Sequence, residues 1–378
     1  MTFMIYGFLL GKNPELSLAE IYYYLKNRNI DFEIRKFEKD FVIISTKKLD
    51  EEKVINDLGG TIKIAEYVEN IENLFVFDKI RLGLSVYPRN RKLYDNLKKE
   101  LTQKLKDRKI KYIFISPKFH GHTDLKHFEV LKKIIRKNGI EIIAFFSEKN
   151  YFFKTLSVHD PSKFKERDVG RPRQRTIYSI SPRLAKILIN LSSKPGDTML
   201  DPFCGIGTII QEALLIGVNA IGFDKNEKCI QDAKTNLNWL MKKYQIRNKF
   251  SLLEADSTKI SNYLEKNSID SIATEPYLGP PLKSKPKKTY AEKIINDLYG
   301  FYEDFLLEAE KVLKPKGKAS IVFPNFLTKE GDEIKMDIYN IAKKTKFKLL
   351  DLFDGKKSII DADQKQMTRR EIVLLEKG

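Results

Sequence analysis

Two short strings hold the residues best suited to chemistry: Asp201-Pro-Phe-Cys-Gly-Ile-Gly-Thr208 and Thr274-Glu-Pro-Tyr-Leu-Gly-Pro-Pro281. The second aligns the carboxylate of Glu275, the carbonyl of Pro276, whose direction the proline ring restrains, and the aromatic ring of Tyr277. An exocyclic amino group of a base is a poor nucleophile, because its lone pair is delocalised into the ring. Accepting hydrogen bonds from its two N–H groups favours the pyramidal geometry that attack requires. A carboxylate oxygen and a neighbouring carbonyl can accept both bonds, while an aromatic ring stacks on the base. The expected chemistry is therefore group transfer to a base amine. The order and spacing of the two strings carry this reading, and neither string carries it alone.

The first string describes the donor's site. Gly205 and Gly207 fall between a strand and a helix, where small residues permit close backbone approach and expose amides. Asp201, Pro202, Phe203 and Thr208 frame that turn. Asp224, with Lys225 after it, ends the next strand, where a carboxylate can accept both hydroxyls of a ribose. Asp256, with Ser257 beside it, ends the third strand and can accept from an adenine amino group. A dinucleotide fingerprint needs a third small residue where Ile210 stands, which argues against nicotinamide cofactors. S-adenosylmethionine carries no phosphate and matches all three features. Strand-ending acids with no ligand role would explain any one of them better than all three.

Other chemistries fit less well. Methylating a pyrimidine ring carbon calls for a cysteine near the reaction string, but Cys204 lies in the glycine turn and Cys229 on the following helix. His120, His122 and His127 cluster without a cysteine or a dense acid group, so no metal is expected. Lys283, Lys285, Lys287 and Lys288 follow the reaction string directly. There they either hold substrate phosphates, close as a lid, or form a solvated basic loop.

The elements that position these residues form an α/β chain. From Ser181 onward helix and strand alternate, the pattern of a mostly parallel sheet with helices on both faces. Strands are expected at Thr198–Asp201, Ala220–Asp224, Ser251–Glu254, Ser271–Thr274, Ala319–Phe323, Phe347–Phe353 and Glu371–Leu375. Residues 1–75 read as a small α+β unit, with Ser17 and Glu20 as a capping box for a helix over Leu16–Arg28. Residues 76–160 read as a second α/β unit with basic helix faces, including a helix over Phe128–Asn138. Residues 161–178, rich in arginine, glycine and proline, read as a basic linker. Its Arg171, Arg173 and Arg175 either grip phosphate or are solvated.

The whole chain bounds the reading. Its 378 residues suffice for two or three domains, and a net charge of +18 suits a polyanionic partner, although a lysine-rich proteome would also account for it. Two cysteines exclude a disulfide framework and suit a reducing compartment. Neither a signal peptide nor a membrane span is apparent, so a cytoplasmic location is expected.

LLGKNPELSLAEI (Leu9–Ile21) and LGGTIKIAE (Leu58–Glu66) resemble the N-terminal ferredoxin-like domain of the archaeal and eukaryotic tRNA methyltransferases that act on the N2 amine of guanosine at position 10. Residues 78–160 resemble that family's THUMP domain, an RNA-binding module for the acceptor end of tRNA. SPRLAKILINL before DPFCGIGT, and RREIVLLEK near the C-terminus, are similar to its catalytic domain. The resemblance implies a class I Rossmann-like methyltransferase domain over 179–378, S-adenosylmethionine as cofactor and tRNA as substrate. One departure stands out. The family's reaction string is normally Asp-Pro-Pro followed by an aromatic residue. Here Glu275 replaces Asp, Tyr277 takes the second proline's place, and Leu278 stands where the ring should be. Two rivals stay open: methylation of another base amine, such as adenine N6 in DNA, and a non-catalytic RNA-binding protein that kept the fold. A small activator subunit also stays open.

Overall fold

Among the described residues, two sheets take up the strand-forming runs. The computed structural model describes residues 3–119, 121–174, 180–362 and 366–378. It divides into two units. One comprises Met1–Pro14, Ile30–Asp57 and Thr61–Phe164, and the other Glu15–Asn29, Leu58–Gly60 and Lys165–Gly378.

In the first unit, β1 (Met4–Leu10), β2 (Phe32–Glu38), β3 (Phe41–Thr46), β4 (Thr61–Tyr67), β5 (Lys79–Tyr87), β6 (Lys111–Ile115), β7 (Ile140–Phe146) and β8 (Asn150–Val158) form one sheet. The strand order is β2-β3-β1-β4-β8-β7-β5-β6. The run FVIIST of β3 is buried throughout, as befits a strand between neighbours, whereas edge strand β2 exposes Glu33 and Arg35. Helix α1 (Pro14–Asn27) belongs to the other unit, apart from its first residue. Within the first unit lie α2 (Glu51–Asp57), α3 (Arg91–Asp107), whose Tyr94, Leu101 and Leu105 pack on β5 and β7, and α4 (His127–Lys133).

The expected break near residue 75 is not a break between compact units, because β4 pairs with β8 and continues the sheet. A fully buried ion pair lies in the same sheet. Lys63 on β4 meets Glu141 on β7 at 2.5 Å, and Lys63 also donates to the Leu125 carbonyl at 2.9 Å. Ser85 on β5 and Thr155 on β8 donate to the two oxygens of Glu141, each at 2.6 Å. A buried charge is tolerated only when paired and hydrogen-bonded, and here four strands supply the partners.

The second unit contains β9 (Thr198–Asp201), β10 (Asn219–Asp224), β11 (Phe250–Glu254), β12 (Ile269–Thr274), β13 (Leu313–Leu327), β14 (Glu333–Lys335), β15 (Phe347–Leu349), β16 (Ser358–Asp361) and β17 (Thr368–Lys377). The main order is β11-β10-β9-β12-β13-β17-β15, parallel as far as β13 and antiparallel at β17. Neighbouring residues on a strand serve opposite faces: Met199 joins one apolar cluster and Leu200 the other, as do Val322 and Phe323. Helices α6 (Pro182–Ser192), α7 (Thr208–Ile216) and α8 (Glu227–Tyr244) cover the first face, while α9 (Lys288–Val312) and α10 (Ile338–Lys344) cover the second.

Helix α1 packs on the first of these faces through Leu16, Ala19 and Tyr23. The expected capping box is absent because the helix begins at Pro14, a residue suited to a first helical position, so Ser17 and Glu20 lie inside it. The buried Glu20 carboxylate instead accepts from the amides of Gly59 and Gly60, each at 2.7 Å, and from Asn190 Nδ2 at 2.8 Å. The expected helix over Phe128–Asn138 is shorter, ending in a 3₁₀ turn, Ile135–Lys137, with Asn138 left-handed at φ 52°. The first half of the stretch read as a linker forms helix α5 (Pro161–Val169). Its Arg167 is buried against Glu212 at 2.7 and 3.0 Å, so these charges serve packing that charge pattern alone did not disclose.

Candidate active site

A cleft of about 1160 Å³ opens at the carboxyl ends of β9, β10 and β12. Parallel strands leave ligand-binding crevices at this end, and both predicted strings meet there. After Asp201 the chain turns through Gly205 (φ 50°) and Gly207 (φ 86°) into α7. A Cβ on Gly205 would meet nothing within 4 Å, so its bare side is open space.

The amides of this turn are not free, contrary to expectation. Gly205 N–H donates to Asp224 Oδ2 at 3.0 Å, and Gly207 N–H to the Cys204 carbonyl at 2.8 Å. Asp224 accepts from the Asn226 amide through Oδ1 at 2.9 Å, so this acid first shapes the turn. Carboxylate oxygens keep further lone pairs for a diol. A turn that spends its amides internally makes a poor phosphate cradle, and it suits a nucleoside without phosphate.

The other acids differ in state. Burial pushes the Asp201 carboxyl up to about 7, against hydrogen bonds from Thr274 Oγ1 at 2.7 Å and the Phe203 amide at 3.2 Å; Asp224 and Glu275 push the same way as burial. The Thr258 amide holds Asp256 below the usual carboxylate range, at 2.9 Å from Oδ1. Ser257, Lys225, Pro202 and Thr208 also line the cleft. Phe203 is fixed edge-on against Phe301 and Phe305, with centroids 5.5 and 5.0 Å away.

The reaction string occupies the same cleft. Glu275 is engaged on both oxygens by a residue to which the sequence assigned no role: Arg370 Nε donates to Oε2 at 2.7 Å and Nη2 to Oε1 at 3.0 Å. Burial pulls the guanidinium down, but the hydrogen bonds and charge of Glu275 outweigh it and hold Arg370 above its ordinary value. The available signal was an arginine pair near the start of a terminal strand with an apolar centre. Tyr302, whose hydroxyl burial pushes well up, donates to the Tyr277 carbonyl at 3.2 Å. Among the described residues nothing donates to the Pro276 carbonyl, which leaves that acceptor available. The Tyr277 side chain is half exposed. Cys204 also lines the cleft, but burial pushes its thiol well up, and a protonated thiol is no nucleophile.

The basic residues divide. Lys283, Lys285, Lys287 and Lys288 are exposed just after the cleft-lining Pro281 and Leu282. The segment is anchored by the Lys329 amide on the Pro286 carbonyl at 2.9 Å and the Lys288 amide on Glu330 at 3.1 Å. Arg171, expected to grip phosphate, is instead buried and donates to Thr208 Oγ1 at 2.7 Å, where it braces the start of α7. Arg173 keeps an exposed side chain, while Arg175 and His120 lie outside the described residues. Among the described residues no cluster of potential metal ligands occurs, and no helix is long and apolar enough to cross a membrane.

Residues 171–330 match the family described as RMKL-like, methyltransferase domain, and residues 20–235 match a DNA methylase family. A tRNA (guanine(10)-N2)-dimethyltransferase of Methanothermobacter thermautotrophicus is 32% identical over 166 residues, which is 43% of this chain and 44% of that protein. A probable tRNA (guanine(10)-N2)-dimethyltransferase of Methanothermococcus thermolithotrophicus is 31% identical over 121 residues, 31% of this chain but 70% of that protein. The chain belongs to the tRNA (guanine-N2) methyltransferase family. The DNA methylase match covers more than half of the chain. The match spans 44%, 66% and 34% of the length of three family members. TrmN from Thermus thermophilus has the same fold, with a TM-score of 0.52 at 14% identity, covering 99% of this chain and 100% of that one.

Proposed function

We propose that the protein transfers methyl groups from S-adenosylmethionine to the exocyclic N2 amine of a guanosine in tRNA, at position 10. The observation that carries this reading is the meeting of Glu275, Pro276 and Tyr277 with the glycine turn, Asp224 and Asp256 in one cleft. Bound S-adenosylmethionine supplies an electrophilic methyl group on positively charged sulfur. Asp224 holds the ribose hydroxyls and Asp256 the adenine amine. Asp201, Pro202, Phe203, Gly205, Gly207, Thr208, Lys225 and Ser257 complete the wall. Glu275 and the Pro276 carbonyl accept from the two N–H groups of the guanine amine and turn its lone pair toward the methyl carbon. Tyr277 stacks on the base. Glu275 and the Pro276 carbonyl would keep the amine aimed while it takes up the methyl group, and the displaced amine proton leaves to water.

A guanosine within a stem must be extruded to reach such a cleft. The first unit, in which the expected ferredoxin-like and THUMP-like stretches share one sheet, serves as the RNA-binding body. Lys283, Lys285, Lys287, Lys288 and Arg173 meet the phosphates. The protein works in the cytoplasm.

Methyl transfer from labelled cofactor to tRNA, with mass-spectrometric mapping, tests the reading. The expected result is N2-methylated or N2-dimethylated guanosine, lost in Glu275→Ala while that variant still binds S-adenosylmethionine by calorimetry. Normal turnover by Glu275→Ala would remove the catalytic assignment. The DNA methylase match favours a second reading, a base amine in DNA. Label appearing in duplex DNA and not in tRNA would establish that instead.

A further inference from the structure

Glu275 reaches the cleft on a flexible side chain with three rotatable bonds, yet its carboxylate plane is fixed. The cause is topological. Strands β9 to β13 run parallel, so their carboxyl ends define the cleft, while β17 runs antiparallel to β13 and therefore begins at that same end. Arg370, the third residue of β17, lies opposite Pro324 of β13 and Asp361 of β16 and still lines the cleft. Its guanidinium grips Glu275 edge to edge at 2.7 and 3.0 Å, and the two side chains are only 16% and 12% exposed. Such a fork sets plane as well as position, and it uses one lone pair of each oxygen, leaving others for a ligand.

We propose that Arg370 is the positioning residue of the reaction, holding Glu275 in the one orientation from which it accepts the amine's N–H. This inference rests on the reading that Glu275 receives a base amine. Arg370 itself touches no reacting atom. Without it Glu275 keeps its chemistry but loses its aim, and misalignment of this kind costs about 100-fold in turnover.

The test uses the full chain, tRNA and labelled S-adenosylmethionine. Arg370→Ala should lower kcat about 100-fold while KM for tRNA and the calorimetric Kd for S-adenosylmethionine stay near wild type. Methylguanidine added at millimolar concentration should restore part of kcat by refilling the fork. Arg370→Lys keeps the charge without the planar fork, so it should recover less than half of the loss and should not respond to methylguanidine. Full activity of Arg370→Ala would overturn the proposal, and so would a loss that appears in cofactor binding instead of kcat. A wild-type protein that binds the cofactor but methylates neither tRNA nor DNA would overturn the reading beneath it, an outcome distinct from either.

Discussion

Asp201 is the residue whose protonation the cleft alters most visibly. Its folded-state value is raised from 3.8 to about 7, chiefly by burial. A carboxyl raised in this way lends stability that is complete below its unfolded value near 3.8 and is lost as pH climbs through about 7. The thermal midpoint of the wild type should therefore fall relative to Asp201→Asn between about pH 5 and pH 8. A constant difference across that range would show that Asp201 does not titrate there. A cationic sulfonium nearby favours the ionised form, so cofactor binding near pH 7 should release protons. Calorimetry in buffers of different ionisation enthalpy reads that release directly, and an unchanged heat would refute it. Arg370 places a guanidinium on Glu275, whereas among the described residues Asp201 receives hydrogen bonds from Thr274 and Phe203 and no cation.

At the level of elements, local strings were the readable part. The glycine turn and the Glu-Pro-Tyr string could be assigned because their residues act within one strand end each. Arg370 could not be, since its role depends on β17 running antiparallel, a property of the sheet and not of RREIVLLEK. Glu20 was misread for a related reason. Its spacing from Ser17 mimics a capping box, but its partners are the Gly59 and Gly60 amides far along the chain. Arg167 and Arg171 read as part of a basic linker, either gripping phosphate or solvated, because burial is invisible in charge pattern, yet one pairs with Glu212 and the other braces Thr208. The joined sheet of the first unit was likewise not legible, as β4 to β8 pairing spans residues 63 to 158. Its ion pair makes a prediction at this scale. Lys63→Met leaves Glu141 buried without its cation, which should cost about 3 to 5 kcal/mol of stability in urea unfolding. A loss under ~1 kcal/mol would mean that Ser85 and Thr155 suffice.

For the whole molecule, a net charge of +18 predicts tRNA affinity that falls steeply and log-linearly with salt. Replacing Lys283, Lys285, Lys287 and Lys288 by alanine should flatten that slope by about 0.7 to 0.9 for each phosphate no longer neutralised. Filter binding across a salt series measures this, and an unchanged slope would take these lysines off the RNA path. The division into units has a different consequence. Residues 15–29 belong to the second unit, but Asn190 and Asp351, which receive the helix through Glu20 and Tyr23, come far later in the chain. At about 5 to 20 residues per second, the ribosome needs roughly 8 to 30 s to travel from the end of α1 to Asn190. By about that interval Leu16, Ala19 and Tyr23 precede the surface they cover. The apolar face of α1 therefore waits on chain made much later, and the order of translation sets how long it stays uncovered.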